Sequence, residues 1–175
     1  DTFGTIILPF LLFLIKSPFL FGWAKPVPVQ FNRLRKPLRD MMIVAIAGPT
    51  INIILAVFAS LILSNIYNLG LYENHWFVRT MVNFFFINII LAVFNMIPIP
   101  PLDGGRVVVG LLPKYLAIYF IRLERYGLFI IIGALFILPI IGEQIGIPLK
   151  PIHWFIQYVS TFIINIIAVL TGLQI

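Results

Sequence analysis

From Met41 to Ser64 the chain runs without a single charged residue. A helix of that length can cross the hydrocarbon core of a bilayer, roughly 30 Å thick, which takes about twenty apolar residues. Trp76–Ile97 is a second such run. Its Arg79 lies near one end, where the apolar stem can stay in lipid while the charged head reaches water. Tyr126–Ile141 reads as a third span, slightly short, and Ile152–Leu170 as a fourth. Lipid offers no water to the backbone, and none of these runs alternates as a strand would, so each is expected to be a helix. The fold class predicted is all-α: a polytopic membrane helical bundle.

Composition agrees. Hydrophobic residues make up 61% and charged residues 10%, whereas soluble domains are about a quarter charged. The chain has no cysteine, which excludes disulfides, thiolate metal ligands and a cysteine nucleophile. Its net charge of +6 does not point to nucleic acid, because the basic residues sit in two segments beside apolar runs rather than on an extended face. Lys25, Arg33, Arg35, Lys36 and Arg39 fall in Gly22–Asp40, and Arg106, Lys114, Arg122 and Arg125 in Pro98–Arg125. Both segments read as loops facing the cytoplasm and anionic lipid head groups. "SNIYNLGLYENH" and "GEQIGIPLKP" read as turns on the far side.

The first forty residues are less regular. Thr5–Ile15 is apolar but too short to span, and Pro9 and Pro18 make it a short re-entrant or bent N-terminal element. Pro26, Pro28 and Pro37 argue against a regular helix in Gly22–Asp40 and for an extended, proline-rich loop. Within it Lys25, Pro26, Val27, Pro28 and Val29 form an extended stretch, either a rigid connector or an edge on which a peptide could dock. The sequence opens on Asp1, with no charged segment of a signal peptide ahead of the first apolar run, and reads as though it begins inside a longer one.

One carboxylate stands apart. In "NMIPIPPLDGGR", Asn95–Arg106, Asp103 follows three prolines and precedes two glycines, directly after an apolar span. A charge close to the membrane interior is costly, about 2.5–3.5 kcal/mol on insertion scales, and such residues mark sites or pathways. Pro98, Pro100 and Pro101 stop the helix, and Gly104 and Gly105 free the backbone after it. The bland alternative is a loop aspartate paired with Arg106. Asn88 and Asn95 share a helix face, and Gly48, Asn52, Ala56 and Ser60 form a ladder of small residues spaced by four, suited to close helix approach. Asn52 and Asn88 read foremost as links between helices. Pro49, beside Gly48, is expected to kink its helix. His75 and His153, with Glu73 and Glu143, fall in the far turns, away from Asp103, and Trp76 and Trp154 beside them suit an aromatic belt.

"FNMIPIPPLDGG" resembles the site-2 protease family of intramembrane zinc metalloproteases, specifically its compact prokaryotic branch. The family's N-x-x-P-x-x-x-L-D-G pattern is matched by Asn95, Pro98, Leu102, Asp103 and Gly104. "FGTIILP", "FGWAKPVPV", "RDMMIVAIAGPTIN" and "RLERYG" are also similar to that branch, in the same order. The resemblance implies zinc as cofactor, with Asp103 as third ligand. It implies substrates that are transmembrane or membrane-adjacent segments, with membrane lipid around. Asn95 would orient the substrate or stabilise the oxyanion, and Lys25–Val29 would hold an unwound substrate. Gly48, Pro49 and Asn52 would support the metal-bearing helix, and Gly104 and Gly105 the turn of Asp103. The H-E-x-x-H helix that gives the family two His ligands and a general base does not occur in this sequence. Residues 1–175 are therefore expected to form a single membrane-embedded peptidase domain, N-terminally incomplete and inactive alone. Two other readings remain: a pseudoprotease that grips without cutting, and a small transporter with a broken helix at Pro98–Gly105.

Overall fold

A computed structural model of the chain divides into two compact units, residues 1–34 and 35–175. The structure describes residues 37–68 and 76–173, together with positions 6, 7, 10, 11 and 14. Most of the expected N-terminal element, residues 22–36 of the expected Gly22–Asp40 loop and with them the Lys25–Val29 stretch lie outside the described residues, as do Glu73 and His75.

The second unit is all helix among its described residues. Its elements are α1 (Pro37–Asn68), α2 (Trp76–Asn95), α3 (Asp103–Leu111), α4 (Lys114–Ile132), a π-helical turn (Gly133–Ile137), α5 (Leu138–Gln144) and α6 (Pro151–Thr171). Four runs are long and apolar enough to span a membrane: Pro37–Ile66, Trp76–Asn95, Lys114–Gln144 and Pro151–Thr171. The polytopic α-helical class holds, and two boundaries move. Pro37 does not exclude helix; it opens α1, because the first helical position needs no N–H and proline's fixed φ suits it. The third span starts at Lys114 rather than Tyr126 and is 31 residues long. Arg122, Glu124 and Arg125 interrupt its hydropathy but not its backbone, and all three are exposed on the helix. Arg122 and Arg125 also lie over the rings of Tyr119 and Tyr126, at 5.9 and 6.0 Å. Pro98–Arg125 is thus mostly helical, not a loop.

The core joins α1, α2 and α6. Ala56, Ala59 and Leu63 of α1 meet Val78, Phe85, Ile89 and Val93 of α2, with Ile167 and Leu173 closing the cluster. Ala56 and Ser60 are fully buried, so the small-residue ladder does its packing at that end. Ser60 Oγ lies 2.6 Å from Thr171 Oγ1, a hydrogen bond between α1 and α6. Asn88 is buried, and among the described residues its side chain makes no hydrogen bond to another helix: its amide donates to the Phe84 carbonyl one turn back, at 2.7 Å. Short α3 lies along the first part of α1, running the opposite way: its start is beside Gly48 and its end beside Leu38 and Met42. A Cβ on Gly110 would come within 2.9 Å of the Leu38 carbonyl and 2.7 Å of Met42 Cβ.

Candidate metal centre

The chain leaves α2 at Asn95 and makes a tight turn before Asp103 opens α3. Ile99 N–H donates to the Ile97 carbonyl at 2.8 Å, and Leu102 N–H to that of Ile99 at 3.0 Å. The Pro100–Pro101 bond is cis. Three glycines press on this turn from two helices. A Cβ on Gly104 would strike the Met96 carbonyl, and one on Gly105 would lie 2.7 Å from Ile99 C and Pro100 Cα. The third is Gly127 of α4, whose Cβ would strike the Pro100 carbonyl. Side chains cannot occupy these contacts, so the turn is clamped main chain to main chain.

The clamp aims Asp103. Its side chain is 28% exposed, with Oδ1 3.9 Å from Arg106 Nη1. Oδ2 faces α1 at Gly48, 3.4 Å from where a Cβ would stand. Burial raises the Asp103 carboxyl from its ordinary value, and the Arg106 guanidinium opposes that shift. One Asp103 oxygen thus pairs with Arg106, and the other faces a neighbouring helix. Arg106 continues to Glu124 of α4, Nη2 to Oε1 at 3.7 Å.

The other predicted residues are placed as follows. Gly48 is exposed, Pro49 is buried within an unbroken α1, and Asn52 is half-buried one turn beyond Gly48 on the same face. Asn95 is half-buried at the end of α2. Neither Asn52 nor Asn95 makes a side-chain hydrogen bond among the described residues. His153 is exposed at the start of α6, and Glu143 is paired with Lys150 at 3.6 Å. No three His, Cys, Asp or Glu residues come together to hold a metal among the described residues. Among the described residues Asp103 offers one hard oxygen donor, whereas a catalytic zinc takes three protein ligands. Sequence reasoning assigned no role to Glu124 or Gly127, although "RLERYG" was among the stretches that resembled the family.

Residues 64–138, which include the turn, α3 and most of the Lys114–Gln144 run, match the model of Peptidase family M50. In this stretch the chain resembles Peptidase family M50. A protein of Bacillus subtilis (strain 168), named "Putative zinc metalloprotease YwhC", is 36% identical over 144 residues, which cover 80% of this chain. The chain spans 62% of that relative's length. No solved structure matches it. The resemblance of the "LDGG" turn to the site-2 proteases is therefore supported independently by the M50 match across the same residues.

Proposed function

We propose that this chain belongs to an intramembrane zinc metallopeptidase that hydrolyses peptide bonds in or near transmembrane segments, with Asp103 as one ligand of the ion. The observation that carries the reading is Asp103 itself. It stands in the M50-matched stretch, at a helix break beside a membrane span, with Oδ2 turned to a glycine of α1 rather than to a cation. In the family that the sequence resembles, an H-E-x-x-H helix supplies two further ligands and the general base. Zinc, when bound, supplies an acidified water and Lewis-acid polarisation of the scissile carbonyl.

This chain's own part is to orient. The glycine clamp fixes the carboxylate, Gly48 leaves room before it, and Asn95, without a partner in its helix, contacts substrate. Lys25–Val29 receives the unwound substrate as an added strand. The basic segments face the cytoplasm, because they hold nine of the twelve Lys and Arg residues.

The test uses protein that carries the H-E-x-x-H segment. Asp103→Ala is expected to lose bound zinc and cleavage of a membrane substrate while inserting and running in detergent as the parent does. Full zinc content with full cleavage in a folded Asp103→Ala protein overturns the reading.

A further inference from the structure

Polar side chains in these spans often satisfy themselves on their own helix. Thr50, Thr80 and Thr171 each donate to the carbonyl one turn back, at 2.8 Å, and Asn65 and Asn88 do so at 2.7 Å. The middle of α6 departs from this pattern. Gln157, Thr161 and Asn165 are exposed there, and none makes a side-chain hydrogen bond among the described residues. Spaced by four, they form one row on one helix face. The row is centred on the span Pro151–Thr171, where hydrocarbon is deepest and an amide or hydroxyl without a partner is costly. With Trp154, Tyr158 and Phe162 it lines an open cleft of about 760 Å³. Helix α6 meets the core through Ile156, Ile163 and Ile167, on the side of the helix opposite the row.

We infer that this row is where two copies of the chain pair, their α6 helices parallel and related by a two-fold axis along the membrane normal. Three features select a second copy. The row carries no charge, and amides and hydroxyls both donate and accept, so it is complementary to itself. Copies insert the same way up, so the two-fold axis sets each residue opposite its own counterpart at the same depth; a different helix would have to match three depths. The order of sizes also suits a crossing. Thr161, the smallest, stands midway, where crossing helices come closest, and the longer amides of Gln157 and Asn165 reach across the widening gap one turn to either side. Tyr158 and Phe162, 78% and 66% exposed, flank the row and shield it from lipid in the pair. Neither Asp103 nor a metal ion takes part.

The 175-residue chain has no cysteine, so Thr161→Cys introduces a single thiol. Mild oxidation of membranes carrying that variant is expected to give a disulfide-linked dimer. Ile166→Cys is the control: it is also exposed, but about 140° round the helix from Thr161, and is expected to stay monomeric. Strength is read by energy transfer between donor- and acceptor-labelled copies, labelled through Glu143→Cys, in phosphatidylcholine vesicles at falling protein-to-lipid ratio. Asn165→Leu is expected to weaken pairing about threefold, the worth of one average hydrogen bond in a membrane. The triple variant Gln157→Leu, Thr161→Val and Asn165→Leu is expected to weaken it about twentyfold, three such bonds together. These changes put apolar side chains on an exposed face, so the thermal transition of the monomer in detergent is expected to match the parent's, which separates lost pairing from lost folding. A parent that stays monomeric at every ratio, equal cross-linking of Thr161→Cys and Ile166→Cys, or a triple variant that pairs as the parent does, overturns the inference.

Discussion

Gly127 of α4 lies so close to the carbonyl of Pro100 that no Cβ fits between them. The two residues belong to different helices' surroundings, and their contact is main chain on main chain. It ties the third membrane span to the turn that carries Asp103. Gly127→Ala is expected to push the turn off its position and cut cleavage of a membrane substrate by the H-E-x-x-H-bearing protein at least tenfold, since a catalytic constellation tolerates only about 0.5 Å. Gly133→Ala is the control: nothing lies within 4 Å of its Cβ position, and activity is expected to stay at the parental level.

The space before Asp103 gives a graded test. Gly48→Ala places a Cβ 3.4 Å from Oδ2, an ordinary contact, and alanine is also the better helix former, by about 1 kcal/mol. Its zinc content is expected to match the parent's. Gly48→Leu is expected to crowd the carboxylate and to remove zinc and cleavage together, with folding kept because Gly48 is exposed and a Cβ there meets only Asp103 among the described residues. Zinc analysis of the two variants side by side decides it.

Asp103→Glu keeps the charge and adds one methylene. The carboxylate then overshoots the position that the three glycines set, and the variant is expected to lose nearly all cleavage. Retained turnover would mean that the turn is far more compliant than its clamped backbone implies.

The hydrogen bond between Ser60 and Thr171 ties α1 to α6 within the core. Such bonds inside membranes average about 0.6 kcal/mol and reach about 1.7. Ser60→Ala is expected to lower the thermal transition in detergent only slightly. Ser60→Leu is expected to lower it much further, because Ser60 is fully buried and the larger side chain overpacks the contact.

Orientation is testable because the chain has no cysteine of its own. Lys114→Cys and Glu143→Cys place single thiols at exposed positions at opposite ends of one span. An impermeant maleimide applied to intact cells is expected to label Glu143→Cys and spare Lys114→Cys. The reverse pattern inverts the topology.

Long uncharged runs made the four spans legible in the sequence, since lipid leaves helices as the economical way to satisfy the backbone. Their ends were less so. Pro37 is a helix breaker in mid-helix and a helix opener at the first position, and only the structure says which. The start of the third span was hidden by Arg122, Glu124 and Arg125, which lower hydropathy while leaving helical geometry untouched. Asp103 was legible because a lone acid between prolines and glycines is costly beside a membrane. Its pairing with Arg106 and the glycines that turn the chain after it were legible too; its neighbours on α4 were not. Arg106 and Glu124 lie on separate helices, Gly127 touches Pro100 from another span, and no periodicity in either helix encodes such a meeting. Asn88 shows the opposite failure: an amide in a membrane helix suggests a partner across the interface, yet its own backbone one turn away supplies one.

The π-helical turn at Gly133–Ile137 sits between two fixed points on the same long span. On one side Gly127 is pressed against Pro100; on the other a Cβ on Gly142 would lie 2.7 Å from the Leu149 backbone nitrogen. A regular α-helix advances about 100° per residue and would set the angle between those two contacts rigidly. The wider turn resets that angle. It is a rotational offset within one rod, set between the contact at Pro100 and the chain's own turn beyond Gly142.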